Sequence, residues 1–388
     1  MKYITRTVWI LSLVSLFNDV SSEMLYPVMP LFLSSIGFSS VLIGVLEGFA
    51  EAIAGLSKGY FGRWSDAAGR RLPFVQLGYF MSALSKPMMA LLVYPAWVFT
   101  ARFGDRLGKG VRTAARDAIL SDETTVANKG KVFGFHKSMD TLGATIGPVF
   151  ALLFLLYYPG QYKLIFMLAF VPAIAGTLLT FFVHEKRKVH TAKPSFQLSQ
   201  TFSYLKTSPA NYKKVVIALL LFAFFNSSDL FLLMRIKQAG WSDAYVIGIY
   251  ILYNLVFALA AFPFGHVADR LGMKKTILFG IFILVYAGFG FNTSFIGFVM
   301  LFMLYGIYAA ATDGVSKALI SNLVHKSETA SAIGTYAGLA SIMALLASSM
   351  AGVIWHYVSP EAVFLFSAAG VGVVCLYLLS LKIKEAEE

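Results

Sequence analysis

Apolar stretches long enough to cross a lipid bilayer recur twelve times along this 388-residue chain. No other feature limits its fold so severely. A segment in lipid has no water to satisfy its backbone N–H and C=O groups, so it must be a helix or a strand of a closed barrel. The alternating apolar–polar pattern of a barrel strand is missing. The expected spans are 8–33, 40–61, 73–94, 97–119, 132–157 and 163–183, then 214–235, 243–264, 275–292, 295–320, 329–355 and 361–381. A crossing helix needs about 20 residues, and these stretches supply them. Charged residues make up 13% of the chain, about half the 25% or so of a soluble domain, which agrees with a surface that mostly faces lipid. The expected fold class is an all-α polytopic membrane protein.

The polar stretches between spans organise the chain. The one long polar linker, from His184 to Lys213, carries Glu185-Lys186-Arg187-Lys188 and further lysines. It divides the chain into an N-terminal six-helix bundle at 1–184, a linker at 185–213, and a C-terminal six-helix bundle at 214–388. With the N-terminus inside, the cytoplasmic face receives Lys2, Arg6, Arg63, Arg70, Arg71, Lys129, Lys131, the linker cluster, Arg270, Lys274, Lys275, Lys326, Lys382 and Lys384. The other face receives little beyond Arg235 and Lys237. That bias is the topological signature of cytoplasmic loops, and it accounts for the net charge of +12 without a nucleic-acid partner. Both termini are expected in the cytoplasm, in a bacterial inner membrane. The first apolar run follows Lys2 and Arg6 as a signal peptide would, but it continues to Leu33 without a small-residue cleavage site, so it reads as a retained span. The single cysteine, Cys375, excludes an intrachain disulfide and a cysteine metal cluster.

Two loops repeat. After the second span stands Gly62-Arg-Trp-Ser-Asp66-Ala-Ala-Gly69-Arg70-Arg71, and after the eighth stands Gly265-His-Val-Ala-Asp269-Arg-Leu-Gly272-Met-Lys274-Lys275. Their Gly and Asp offsets are identical, and the same spacing of 203 residues separates Gly37 from Gly240. One such loop would carry little weight, but two, each after the second helix of its half, indicate duplication. Gly62 would let helices approach closely, and Gly69 would permit a turn that other residues resist. Asp66 could pair with Arg70 or face a helix N-terminus.

The Gly-x3-Asp-x2-Gly-Arg-Arg loop resembles the most characteristic signature of the major facilitator superfamily, with a degenerate copy in the second half. The resemblance spans essentially the whole chain. It implies twelve transmembrane helices in two pseudo-symmetric six-helix halves, working by alternating access as a secondary transporter. Gly62, Asp66, Gly69, Arg70 and Asp269 would then serve gating. The fifth span reads Gly134-x8-Gly143-x3-Gly147-Pro148, similar to a motif of exporters and drug–proton antiporters in that family, except that Ala151 and Leu152 stand where a glycine pair is frequent. Gly143, Gly147 and Pro148 would form a hinge, and small residues at this spacing also let helices pack backbone to backbone. The eleventh span keeps Gly334 but has no such proline. Arg106-x-x-Lys109-Gly110 resembles the family's fourth-helix basic motif, with lysine where glutamine is more common, and the resemblance implicates Arg106 in proton coupling.

Ionisable residues inside a membrane are expensive, so each is a functional candidate. The first span carries Asn18, Asp19 and Glu23, followed by Tyr26, Pro27 and Pro30. Asp19, Glu23 and Tyr26 share a helix face. The prolines should break that helix beside the carboxylates, a recurrent way to build a binding site in transporters. Glu47, Glu51 and Lys58 share a face of the second span. The fourth carries Arg102, Asp105, Arg106, Lys109, Arg112, Arg116 and Asp117 in two adjacent stripes. Lys86 in the third span, and His136, Lys137 and Asp140 in the fifth, add to this concentration. The second half is poorer, with Asn226 and Asp229 one turn apart in the seventh span, Asn254 in the eighth, and Asp313 and Lys317 in the tenth. At the repeat offset Asn226 matches Glu23 and Asn254 matches Glu51.

Ion coupling is therefore expected in the first half, at Asp19, Glu23, Glu47, Glu51, Asp105 and Arg106. Substrate binding is assigned to Asn18, Tyr26, Lys109, His136, Asp140, Asn226, Asp229 and Asn254. Arg102, Arg112, Arg116 and Asp117 are read as helix-locking pairs. Three cargoes stay open: a small organic compound exported against protons, an organic or phosphorylated anion held by Arg106 and Lys109, or a metal or metal chelate met by His136, Met139, Asp19 and Glu23. No nucleophile–base constellation or phosphate-binding glycine loop supports an enzyme, and no cofactor is expected. The expected partners are a small-molecule substrate, protons and the lipid bilayer, with the protein a monomer.

Overall fold

A computed structural model describes residues 4–124, 129–185, 204–271, 275–312, 320, 323–324 and 329–380, with side chains left undescribed at 63, 66–67, 129–131, 261–271, 275–281, 311–312 and 329–331. Every regular element among the described residues is helical. The chain divides into two compact units, Met1–Gly37 with Phe49–Phe196, and Phe38–Gly48 with Gln197–Glu388. In the first lie α1 (Arg6–Leu25), α2 (Met29–Ser35), most of α3 (Ser40–Ala67), α4 (Leu72–Leu91), α5 (Pro95–Asp122), α6 (Lys129–Tyr157) and α7 (Tyr162–Leu179). In the second lie α8 (Ala210–Phe225), α9 (Leu230–Gln238), α10 (Asp243–Leu271), α11 (Lys275–Phe291), α12 (Phe295–Thr312), α13 (Thr329–Tyr357) and α14 (Pro360–Ser380). Asp313 and Lys317 lie outside the described residues.

Among the described residues the twelve expected spans appear as fourteen helices, because the first and seventh spans are each broken. The first breaks where the prolines require it. α1 stops at Leu25, Pro27 cannot continue its ladder, and Pro30 sits in the first turn of α2, where its missing N–H costs little. The seventh breaks without a proline, at Asn226-Ser227-Ser228-Asp229. Side chains that bond the backbone locally compete with the helix there. The N–H of Leu230 donates to Ser228 Oγ at 3.3 Å, and the N–H of Ser228 donates to Ser348 Oγ on α13 at 3.2 Å. The expectation that Asn226 and Asp229 lie one turn apart on a continuous helix fails for this reason: Asn226 ends α8 and Asp229 precedes α9. Gly37 and Gly240 close the two broken spans at φ +86° and +92°, the left-handed region that glycine enters without strain.

The duplication is visible in the packing. In the first unit α1 packs on α6 and α7, and α4 packs on α5 and α7. In the second α8 packs on α13 and α14, and α11 packs on α12 and α14. These are the same pairs of ordinal helices. Among the described residues eight segments are long and apolar enough to cross a membrane on length and composition, and two shorter apolar ones, Phe282–Phe291 and Phe295–Ala310, lie in α11 and α12. α4 and α5 miss that standard. They are the helices whose polar side chains turn to one another and inward, as described below.

Glycines set the closest helix contacts. A Cβ added to Gly143 of α6 would meet the carbonyl oxygen of Leu16 at 2.6 Å, and one added to Gly147 would meet the N of Met24 at 2.7 Å. α6 therefore lies against the α1 backbone beside Asp19 and Glu23. Gly134, the first glycine of the same motif, faces nothing within 4 Å. Gly147→Val should overpack this contact and cost about 1–3 kcal/mol. It should show as an earlier thermal unfolding of the purified protein, while Gly134→Ala leaves unfolding unchanged.

Candidate functional site

The polar faces of α1, α4 and α5 line a cleft within the first unit, open on one side, with about 70 Å³ of free space inside it. From α1 come Asn18, Asp19, Ser22 and Glu23, with Tyr26 at the break. α4 contributes Ser85, Lys86 and Met89. α5 contributes Arg102, Asp105, Arg106, Lys109 and Arg112, and Phe166 of α7 adds an apolar wall. The α1 break thus stands where the acids were expected to need it. Asn18, Asp19, Glu23, Tyr26, Asp105, Arg106 and Lys109 all reach this one cleft.

Its charges are braced. Lys86 Nζ lies 2.7 Å from Asp105 Oδ1, and Arg102 Nη1 lies 3.6 Å from Asp105 Oδ2. Lys86, Arg102 and Arg106 are buried, so this carboxylate takes the place of lost water. Arg106 Nη2 stands 3.5 Å from Glu51 Oε1 of α3, a half-exposed partner. Arg112 follows another pattern. Its guanidinium donates to Ser82 Oγ at 2.5 Å and lies 4.6 Å over the Tyr79 ring, so hydroxyl and aromatic groups hold it. Ser82 Oγ in turn donates to the Asp105 carbonyl at 3.0 Å. Gly78 and Gly108 permit this α4–α5 approach: a Cβ on either would fall within 2.6 Å of the other's carbonyl oxygen. Asn18 Nδ2 donates to Asp19 Oδ1 at 3.4 Å.

Other expected site residues lie elsewhere. Glu47 is buried and belongs to the second unit, although it shares α3 with Glu51. His136 and Asp140 do not line the cleft. Asn226, Asp229 and Asn254 belong to the second unit, and the first two meet a group of tyrosines. Tyr286 OH donates to Asn226 Oδ1 at 3.1 Å, and Tyr305 OH donates to Asp229 Oδ1 at 2.5 Å. Tyr253 and Tyr308 stack on Tyr305 with centroids 5.5 and 5.8 Å away. These tyrosines were not singled out in the sequence. The 203-residue offset would have found two of them, since it sets Tyr305 opposite Arg102 and Tyr308 opposite Asp105.

The signature loop joins α3 to α4. Gly69 adopts φ +64°, as a tight turn requires, and a Cβ on Gly62 would lie 2.8 Å from that of Ala114 on α5. Arg70 is exposed. The side chains of Asp66 and Asp269 lie outside the described residues. The pairing that is described uses the next arginine: Arg71 Nη1 lies 2.6 Å from Asp122 Oδ2 at the end of α5. Glu185, just after the last helix of the unit, accepts from the N–H groups of Arg71 and Leu72 at 2.7 and 2.8 Å. It caps the N-terminus of α4 with a carboxylate, where the helix dipole favours one. The contacts that Arg71 makes with Asp122 and Glu185 were missed because contacts across more than 50 residues leave no local spacing.

Among the described residues no group of three His, Cys, Asp or Glu is placed to hold a metal ion. The sequence pattern of the Major Facilitator Superfamily matches residues 11–255 and 236–388. The chain belongs to the Major Facilitator Superfamily. It is 32% identical to an uncharacterised MFS-type transporter of Methanocaldococcus jannaschii over 377 residues, covering 95% of this chain and 92% of that protein. The crystal structure of the nucleoside transporter NupG superposes with a TM-score of 0.79 at 15% identity, over 98% of this chain and 100% of that one. The human organic anion transporter MFSD10 gives 0.69 at 16% identity, over 96% and 99%. The protein is thus an integral membrane transporter.

Within this superfamily member, the Lys86–Asp105 pair offers a direct check on the cleft's electrostatics. Lys86→Met leaves a buried carboxylate short of its main partner and should cost about 3–5 kcal/mol. Combining it with Asp105→Asn should recover most of that loss in a thermal or denaturant unfolding series.

Proposed function

We propose that this chain is a proton-coupled transporter of a small organic anion. One observation carries the reading. Five basic side chains line the cleft, Lys86, Arg102, Arg106, Lys109 and Arg112, against three carboxylates in its wall, Asp19, Glu23 and Asp105, and a fourth, Glu51, beside Arg106. Asp105 is committed to Lys86 and Arg102. A carboxylate or phosphate group would complete the balance with charge-assisted hydrogen bonds. Asp19 and Glu23, one turn apart beside the break in α1, supply the proton site, since two neighbouring carboxylates in low dielectric do not readily both stay charged.

Export is the direction supported by the likeness of the α6 glycine motif to that of exporters. A bacterial inner membrane with both termini cytoplasmic is supported by the distribution of basic residues, and a monomer suffices for the reading. The functional assignments of Gly62, Asp66, Gly69, Arg70, Gly143, Gly147, Pro148 and Asp269 to gating stand as part of the same proposal.

The test is exchange in proteoliposomes. Labelled malate, benzoate and glycerol 3-phosphate should exchange, while ribose and tetraethylammonium should not. Arg106→Gln and Lys109→Gln should each lower anion exchange by about tenfold or more, the value of one well-placed charged contact. An imposed pH gradient should accelerate anion movement in the wild type, and Asp19→Asn with Glu23→Gln should remove that acceleration. Equal exchange of neutral and anionic solutes, or a gradient without effect, would sink the proposal.

A further inference from the structure

A second polar cluster lies behind the cleft, where α6 meets α1 and α5. His136 is 4% exposed, and its Nδ1 lies 3.3 Å from Ser12 Oγ of α1. Its Nε2 lies 3.7 Å from Asp140 Oδ1, beyond hydrogen-bond distance. Neither of those two atoms has a hydrogen-bond partner among the described residues, and both are sealed from solvent. Native structures satisfy most buried polar atoms, so an unbonded facing pair calls for an explanation. A lock between helices would close the gap. The neighbouring Arg116 shows what such a lock looks like: it donates to Ser15 Oγ at 2.9 Å and to Asp117 Oδ1 at 2.9 and 3.0 Å.

The open pair connects to the cleft. Asp140 precedes Gly143 by one turn, and a Cβ on Gly143 would lie 3.0 Å from the Cβ of Asp19. Asp140 is within electrostatic reach of Asp19, together with Glu23 on the same helix and Arg112 and Arg116 of α5. The charged groups facing His136 are Arg116 and Asp117 of α5 and Lys137 and Asp140 of its own helix. The chain of titratable groups therefore runs from His136 through Asp140 to Asp19, and only Asp19 opens onto the cleft.

We infer that His136 and Asp140 form a proton-transfer branch that loads and unloads Asp19 along a route separate from the substrate's. This rests on the proton-coupled reading above. A proton from bulk water, reaching His136 Nε2 when the transport cycle opens this sealed contact, gives an imidazolium that closes the 3.7 Å gap with a charge-assisted bond to Asp140. The proton passes to Asp140 Oδ1 and then to an Asp19 oxygen. His136 returns to neutral imidazole, Asp140 to carboxylate, and Asp19 becomes the neutral acid.

Two arms test it in the full-length protein. In proteoliposomes, His136→Gln and Asp140→Asn should keep gradient-free exchange of malate, benzoate or glycerol 3-phosphate within about twofold of wild type. They should lower pH-gradient-driven movement about tenfold and flatten its pH profile, the usual scale for losing a positioned proton carrier. Exchange lost together with driven transport would make these residues substrate-binding or structural. Driven transport with an unchanged pH profile would equally overturn the branch. The second arm uses ring-¹³C histidine labelling, with the His136 signal assigned by its absence in His136→Gln. That signal should titrate between about pH 4 and pH 9, and its midpoint should move in Asp19→Asn. No titration, or a midpoint indifferent to Asp19, refutes the branch. If the wild type exchanges none of the three anions, the anion reading falls and the histidine arm decides the branch alone.

Discussion

Charge inside a membrane has to be answered by protein, because lipid supplies neither hydrogen bonds nor counterions. Much of the first unit can be read as the answer to that demand. α4 and α5 are too polar to be spans by composition, yet they stand as spans because Asp105 pairs with Lys86 and Arg102 and because Ser82 and Tyr79 hold Arg112. Gly78 and Gly108 bring the two backbones close enough for those bonds to be short. On the opposite wall, α6 packs against α1 through Gly143 and Gly147, which fixes the segment that carries Asp19 and Glu23. The cleft exists because glycines and ion pairs together replace the lipid that would otherwise reject these side chains.

The duplicated halves share a scaffold and differ in chemistry. Both break their first span, close it with a left-handed glycine and repeat the same helix pairings. Where the first half places Arg102 and Asp105, the second places Tyr305 and Tyr308, and where the first has Glu23 the second has Asn226. The first unit therefore concentrates formal charge. The second offers hydroxyls and aromatic faces around Asn226 and Asp229. An ion-driven carrier has use for such a division, because protons need titrating groups while cargo recognition needs hydrogen bonds.

Much of this was legible in the sequence. Hydropathy located most of the spans, the repeated loop showed the duplication, and Pro27 and Pro30 announced the first break. The α5 stripe from Arg102 to Arg112 and the acids of α1 reach one cleft because helix periodicity fixes which residues share a face. What stayed hidden depends on contacts between distant residues or on competition without a strong breaker. Asn226-Ser227-Ser228-Asp229 ends a helix through side-chain bonds that hydropathy does not register. Glu47 and Glu51 are one turn apart yet fall in different units. His136 and Asp140 looked like cavity residues, since burial on the α1–α5 side of α6 cannot be told from a cavity face by spacing alone.

The central claim is that one cleft binds an organic anion and that binding is linked to a proton held by Asp19 and Glu23. Calorimetric titration of malate, benzoate and glycerol 3-phosphate into the purified protein, repeated in buffers of different ionisation heat, measures that linkage directly. The account predicts an observed heat that changes with the buffer because the anion displaces a proton, and a heat independent of buffer once Asp19→Asn and Glu23→Gln are combined. A wild-type heat that is the same in every buffer, or ribose binding as tightly as the anions, would contradict it.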